Sequence, residues 1–254
     1  MPCLPDDALA GVLVAAFPRY TSEARDLRAL IRVRAVSRRL CALVWQLLAR
    51  VCVLPTGCAR LNDAGLAPLS RLPRLDLGHS SRITDACFAS LSCLASLKLW
   101  NNSTITDAGL AHLSCLTSLD LWCNHTITDA GLAPLSRLES LDLSDNHTIT
   151  DAGLARLSRL TSLDLSYNNT ITDASLAPLS CLESLNLCDN STITEAGLAS
   201  LSRLTSLNLW GNHTITDAGL APLSRLASLN LRGNHTITAA AREALRARGV
   251  AVES

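Results

Sequence analysis

The stretch NHTITDAGLAPLSRL, Asn124 to Leu138, decides the fold, because it returns down the chain at a fixed interval. Leu75, Leu97, Leu119, Leu141, Leu163, Leu185, Leu207 and Leu229 stand 22 residues apart. A second Leu lies two positions after each, from Leu77 to Leu231, and another three positions before, from Leu72 to Leu226. An Asn follows at Asn102, Asn124, Asn146, Asn168, Asn190, Asn212 and Asn234, with Ser80 in the earliest copy. An Ile comes three positions later, from Ile83 to Ile237. The unit is LxxLxLxxNxxIxxxxLxxLxx, and its spacing never slips by a residue.

A fixed period of this length means a stacked architecture, since one unit cannot bury its own leucines. Leu119-Asp120-Leu121 alternates apolar and polar, as a short strand with one buried side does. The rest of the unit must bring the chain back by one strand spacing. Pro68, Pro134, Pro178 and Pro222 stand in that return segment and argue against a long helix. A single helical turn or a 3₁₀ turn is expected instead. Thr106-Asp107 and its copies suit the entry of such a turn, with a hydroxyl cap and an acid near the positive end.

The period resembles the leucine-rich repeat, over roughly residues 53 to 250. The resemblance implies an α/β solenoid, a horseshoe of 22-residue units with short parallel strands on its concave face. It also implies that the recurring Asn points inward and forms a ladder. An amide can satisfy backbone groups where the chain bends away from the strand. The seven Asn-x-Thr triplets are then structural, and an inward Asn is closed to glycosylation. The units are expected over residues 51–238, with a C-terminal cap over residues 239–254.

The first fifty residues lack the period. They carry eight Arg against four acids and show helical apolar spacing at Leu9, Val12, Leu13 and again at Val36, Leu40, Leu43. About three short helices are expected, a small all-α domain that leans on the first repeat. This segment is similar to an F-box. Leu4-Pro5-Asp6-Asp7 matches the opening phrase, Leu9, Val12 and Leu13 the first helix, Asp26-Leu27 the entry to the second, and Val36-Ser37-Arg38-Arg39-Leu40 the basic turn. Leu40 stands where that family has Trp, and the loop Arg19 to Arg25 is longer than usual. The resemblance implies a substrate-recognition adaptor of a ubiquitin ligase. Leu4, Pro5, Leu9, Val12, Leu13, Leu27, Val36 and Leu40 would dock on a Skp-type linker protein and through it on a cullin. The repeats would hold an unknown protein substrate. The alternative is an interaction scaffold with no ubiquitin role, in which the helices only cap the solenoid.

Composition limits the other classes. The chain of 254 residues is 48% hydrophobic and 17% charged, with a net charge of zero. That gives no general attraction for nucleic acid or membrane. The apolar run Ala8 to Phe17 follows acids and is too short for a span. Cys93, Cys115 and Cys181 share one repeat position with Arg137, Arg159, Arg203 and Arg225, which implies free thiols rather than bridges. A cytoplasmic protein, with the nucleus as second compartment, is expected, monomeric outside a ligase complex. Ser, Asp and His recur because the unit recurs. His125 and His147 share a repeat position, as do His213 and His235, and read as surface histidines. No catalytic residue, metal or cofactor is expected. A GTPase-activating solenoid would need one singled-out Arg or Asn, and none stands out. Lys98 is the only lysine, read as a compositional bias toward Arg; in an adaptor it would limit self-ubiquitination.

The partner surface is expected where units differ. Three outward positions follow the first strand Leu. The first runs Asp76, Lys98, Asp120, Asp142, Asp164, Asn186, Asn208, Asn230. The second runs Gly78, Trp100, Trp122, Ser144, Ser166, Cys188, Trp210, Arg232, and the third His79, Asn101, Cys123, Asp145, Tyr167, Asp189, Gly211, Gly233. Their variation reads as freedom from packing. Glu139, Asp142, Asp145, Asp164, Glu183 and Asp189 gather negative charge beside Trp100 and Trp122, with Trp210 beyond. Such a groove suits a basic protein segment.

Overall fold

The computed structural model describes residues 63–66, 73–80 and 82–254. The F-box-like segment, with its linker-binding residues Leu4, Pro5, Leu9, Val12, Leu13, Leu27, Val36 and Leu40, lies outside the described residues.

The first Leu of each Leu-x-Leu phrase centres a three-residue strand, and Val252 centres one more near the C-terminus. In chain order these are β1 (Arg74–Asp76), β2 (Ser96–Lys98), β3 (Ser118–Asp120), β4 (Ser140–Asp142), β5 (Ser162–Asp164), β6 (Ser184–Asn186), β7 (Ser206–Asn208), β8 (Ser228–Asn230) and β9 (Ala251–Glu253). Among the described residues they make one nine-stranded sheet whose spatial order is the chain order. Neighbours pair in parallel, with Leu75 opposite Leu97, Leu97 opposite Leu119 and so on. The unbroken period is what fixes that register: a slip of one residue would turn every strand Leu to solvent. The strand leucines, the Ile column and the two leucines of the return segment form one continuous buried core. Each buried Leu contributes roughly 1.5–3 kcal/mol relative to exposure.

The return segment is a single α turn in most units, such as Asp107–Leu110, Asp129–Leu132 and Asp151–Leu154. The unit carrying Cys87 and Phe88 makes a 3₁₀ turn, Asp85–Ser90. Thr106 caps its turn as the sequence suggests, accepting from the Ala108 N–H at 3.4 Å. The acid beside it reaches further than a local cap. Asp107 accepts from the backbone N–H of Thr128 in the next unit at 2.8 Å and from its hydroxyl at 2.6 Å. The same bridge recurs from Asp63 to Thr84 and on to Asp217 with Thr238, with Glu195 serving Thr216.

The Asn ladder is inside. Asn124 Nδ2 donates to the Leu99 and Asn102 carbonyls of the preceding unit at 3.0 and 2.9 Å. Its Oδ1 accepts from the Thr126 and Ile127 N–H groups at 3.1 and 3.0 Å. All seven ladder asparagines are buried, at 2% exposure or less. Among the described residues no buried side-chain nitrogen or oxygen lacks a partner. A third lateral contact comes from the Thr after each Asn: Thr126 Oγ1 donates to the Ile105 carbonyl at 2.8 Å.

The parallel ladder continues to the end of the chain. The helix Ala239–Ala247 buries Leu245, and β9 then pairs with β8, Ala251 opposite Ser228. No helix of the described residues is long and apolar enough to cross a membrane.

Candidate functional site

The strand face carries the three outward columns, and each is held by a different device. In the first column the side chain caps the turn that follows the strand. Asp120 accepts from the Trp122 N–H at 3.2 Å, Asp142 from Ser144 at 2.9 Å and Asp164 from Ser166 at 2.9 Å. Asn186, Asn208 and Asn230 do the same for Cys188, Trp210 and Arg232. Asp76 serves Gly78. Lys98 has no acceptor to offer; its ammonium lies 3.7 Å from Asp120. The expectation that this column is unconstrained is therefore corrected. A short side chain with an acceptor oxygen satisfies a backbone donor that the ending ladder leaves over.

The third column is constrained by its backbone. His79, Asn101, Cys123, Asp145, Tyr167 and Asp189 have φ between 47° and 56°, and Gly211 and Gly233 complete the left-handed series. Asn, Asp and Gly adopt that conformation readily, whereas each other side chain there costs roughly 1–2 kcal/mol. Tyr167, Cys123 and His79 carry that strain. The column stays in lateral register: the Cys123 N–H donates to the Ser144 carbonyl, Asp145 to Ser166, Tyr167 to Cys188 and Asp189 to Trp210.

The second column divides by size. Ser144, Ser166 and Cys188 are buried, and the Ser166 hydroxyl donates to Asp164 at 2.6 Å. Trp100 is half-buried and tied down. Its indole N–H donates to Asp76 Oδ1 at 3.1 Å, and its ring meets His79 edge-on at 4.4 Å. Gly78 makes room for it, since a Cβ there would sit 2.1 Å from the indole. Trp122 then stacks on Trp100, with centroids 5.8 Å apart and 18° between the rings. Trp100 thus supports Trp122 rather than standing free beside it. Trp122, Tyr167 and Trp210 are the exposed large hydrophobic side chains of the described residues, at 47%, 46% and 46%.

Charge on this face is one-sided. Asp120, Asp142 and Asp164 sit on adjacent strands, about 4.8 Å apart. Burial, then the neighbouring charges of Asp164 and Asp120, push the Asp142 carboxyl above its ordinary value, against the hydrogen bonds from Ser144. Burial does the same to Asp120, while Lys98 opposes it. Asp145 lies 3.3 Å from His147, and Asp189, Glu139 and Glu183 are exposed. On β3 to β7 none of the three columns carries Lys or Arg; Lys98 and Arg232 flank them. Arg232 pairs with Glu253 at 3.6 Å. The histidine pairs His125–His147 and His213–His235 stack at 6.3 and 5.9 Å. No group of three metal-binding side chains lies together among the described residues. Cys87, Cys93, Cys115, Cys123, Cys181 and Cys188 are free thiols.

Two family descriptions match the sequence of these units. "Leucine Rich repeats (2 copies)" covers residues 136–181, and "Leucine Rich repeat" covers residues 112–136 and 204–224. The units within residues 112–181 and 204–224 are leucine-rich repeats. Solved structures agree. An internalin C2 from Listeria monocytogenes is 29% identical, with a TM-score of 0.53 over 70% of this chain and 77% of that one. The mouse RP105/MD-1 complex contains a chain 26% identical, with a TM-score of 0.58 over 76% of this chain and 36% of that one. The yeast Rad7 and Elc1 complex contains a chain 19% identical, with a TM-score of 0.53 over 84% and 70%; at that identity the likeness is one of fold. No curated protein matches the chain. Two of these three solved structures, RP105/MD-1 and Rad7/Elc1, are complexes.

Proposed function

We propose that the chain is the substrate-recognition adaptor of a Skp–cullin–F-box type ubiquitin ligase, with the concave face of the repeats holding the target protein. One observation carries the binding half of this reading. The three exposed large hydrophobic side chains of the described residues, Trp122, Tyr167 and Trp210, all stand on the strand side, at positions where packing does not require them. Exposed aromatics of this kind are typical anchors in protein interfaces. The ligase half rests on the Leu4-Pro5-Asp6-Asp7 to Leu40 resemblance in the first fifty residues. In this role the chain performs no chemistry; it raises the effective concentration of the target beside the ligase.

Capture of the Skp-type linker by the full chain tests the adaptor role. Linker should co-purify with the wild-type chain and be lost with Leu9→Asp and with Leu27→Asp, while the melting temperature of the repeats stays unchanged. Linker retained by both variants, or absent from the wild-type chain, overturns the adaptor role. The second outcome would leave the interaction scaffold alone.

A further inference from the structure

Along the outer edge of the strand face, aromatic and acidic side chains alternate from one repeat to the next. Trp122 follows β3, Asp145 follows β4, Tyr167 follows β5, Asp189 follows β6 and Trp210 follows β7. The strands are parallel neighbours, and the lateral hydrogen bonds continue through this edge. Asp145, Tyr167 and Asp189 stand opposite one another about 4.8 Å apart, and Trp122 and Trp210 stand one residue earlier on the flanking strands, so members of one kind recur about every 9.6–10 Å. Tyr167, like Asp145 and Asp189, sits one residue beyond the Trp column; its left-handed backbone, φ 56°, is the strained form of that position. Between the two tryptophans the second column holds only the small, buried Ser144, Ser166 and Cys188.

A ligand that reads this row needs apolar and cationic groups that each repeat at about 9.6 Å on one side of an extended chain. A β-strand places same-side residues about 6.7 Å apart and falls out of step within two repeats. A polyproline II segment rises about 3.1 Å per residue with three residues per turn, so one side recurs every ~9.3 Å. Its prolines also dock on aromatic rings with little conformational entropy to lose. The carboxylates between the rings suit cations: no Lys or Arg stands in the three columns of β3 to β7, and Asp145 has only the His147 imidazole beside it, at 3.3 Å.

We infer that the concave edge between Trp122 and Trp210 binds a partner segment in the polyproline II conformation, with proline against the rings and a basic residue at every third position over Asp145 and Asp189. This rests on the reading of the concave face as the partner surface. It adds the conformation and period of what binds there.

The test is fluorescence anisotropy of the full chain with two labelled peptides that carry the same four arginines, (Pro-Pro-Arg)4 and (Thr-Arg)4. The first has the period of three, the second the period of two of a strand. (Pro-Pro-Arg)4 should bind at least about tenfold more tightly. Trp122→Ala should weaken it about tenfold, as should Trp210→Ala, which leaves the Trp100–Trp122 stack intact. The pair Asp145→Asn and Asp189→Asn should flatten the salt dependence of binding. Equal affinity for the two peptides, or affinity for (Pro-Pro-Arg)4 that ignores both Trp variants, overturns the inference. Tighter binding of (Thr-Arg)4 that is lost with Trp122→Ala would keep the concave face as partner surface and remove the polyproline II occupant. No change in tryptophan fluorescence with either peptide would count against both.

Discussion

Asp129 holds Thr150 of the following repeat by two hydrogen bonds, 2.8 Å to the backbone N–H and 2.6 Å to the hydroxyl. The carboxylate belongs to one unit and its donors to the next. The contact is therefore a tie between repeats and not a cap within one. Asp129→Ala should lower stability by about 0.5–1.5 kcal/mol, the net scale of a hydrogen bond whose donors water can reach. Asp129→Asn should lose less, because its amide can accept from the N–H and donate to the hydroxyl. Urea midpoints of the two variants check the order; Ala and Asn variants of equal stability would contradict it.

Asn146 makes the corresponding tie on the inside. It donates to the Leu121 and Asn124 carbonyls at 3.4 and 2.6 Å and accepts from Thr148 and Ile149 at 3.1 and 3.0 Å. Asn146→Ala should cost about 1–3 kcal/mol in chemical denaturation. Mass spectrometry of material from the native host should find no glycan on it.

The Asp142 carboxyl is raised by burial first and by Asp164 and Asp120 next. Its folded value lies above its unfolded value, so the folded state favours the protonated form. Stability from this group is then present in acid and lost as pH rises through the carboxylate range. Asp142→Asn keeps the acceptor oxygen, as Asn186, Asn208 and Asn230 do at the same position. The variant should melt higher than wild type at neutral pH, and the gap should close as the pH falls below the ordinary carboxylate value. A variant that melts lower at neutral pH would show that the charge is stabilising there.

Burial pushes the Cys87 thiol up to about 12 and the Cys188 thiol up to about 11. Cys93 and Cys115 are exposed. At pH 8 a thiol reagent should label Cys93 and Cys115 at least tenfold faster than Cys87 and Cys188, since only the thiolate reacts and burial also blocks access. Peptide mapping after a short pulse reads this directly.

The sequence made the core legible because a period of 22 leaves one register in which all the leucines face inward. The inward Asn was legible for the same reason, together with its chemistry. The Asp–Thr tie was visible as an acid at one position in unit after unit, but a local helix-entry role accounted for it without a second unit. Only the stacking distance shows that its reach is lateral. The left-handed column left a trace in Asn101, Asp145, Asp189, Gly211 and Gly233, the residue types that tolerate that backbone. Tyr167, Cys123 and His79, side chains that do not favour that backbone, mask the trace. The first column carried a similar mark, since Asp and Asn fill it everywhere except Lys98. Trp100 and Trp122 looked equivalent, and the asymmetry between them depends on Gly78, one unit away.

Among the described residues, the lateral bonds between repeats join a residue to one 21 to 25 positions away. Excision or duplication of 22 residues therefore leaves each remaining tie with a chemically equivalent partner. Recombination between repeats can lengthen or shorten the molecule with little penalty to its folding. The same event is not silent on the strand face. Removing the unit that ends in Asp145 would set Tyr167 directly beside Trp122 and break the alternation of ring and acid. Chain length in this architecture is free to drift under genetic change, and the phase of the surface pattern is what selection for a partner would have to hold.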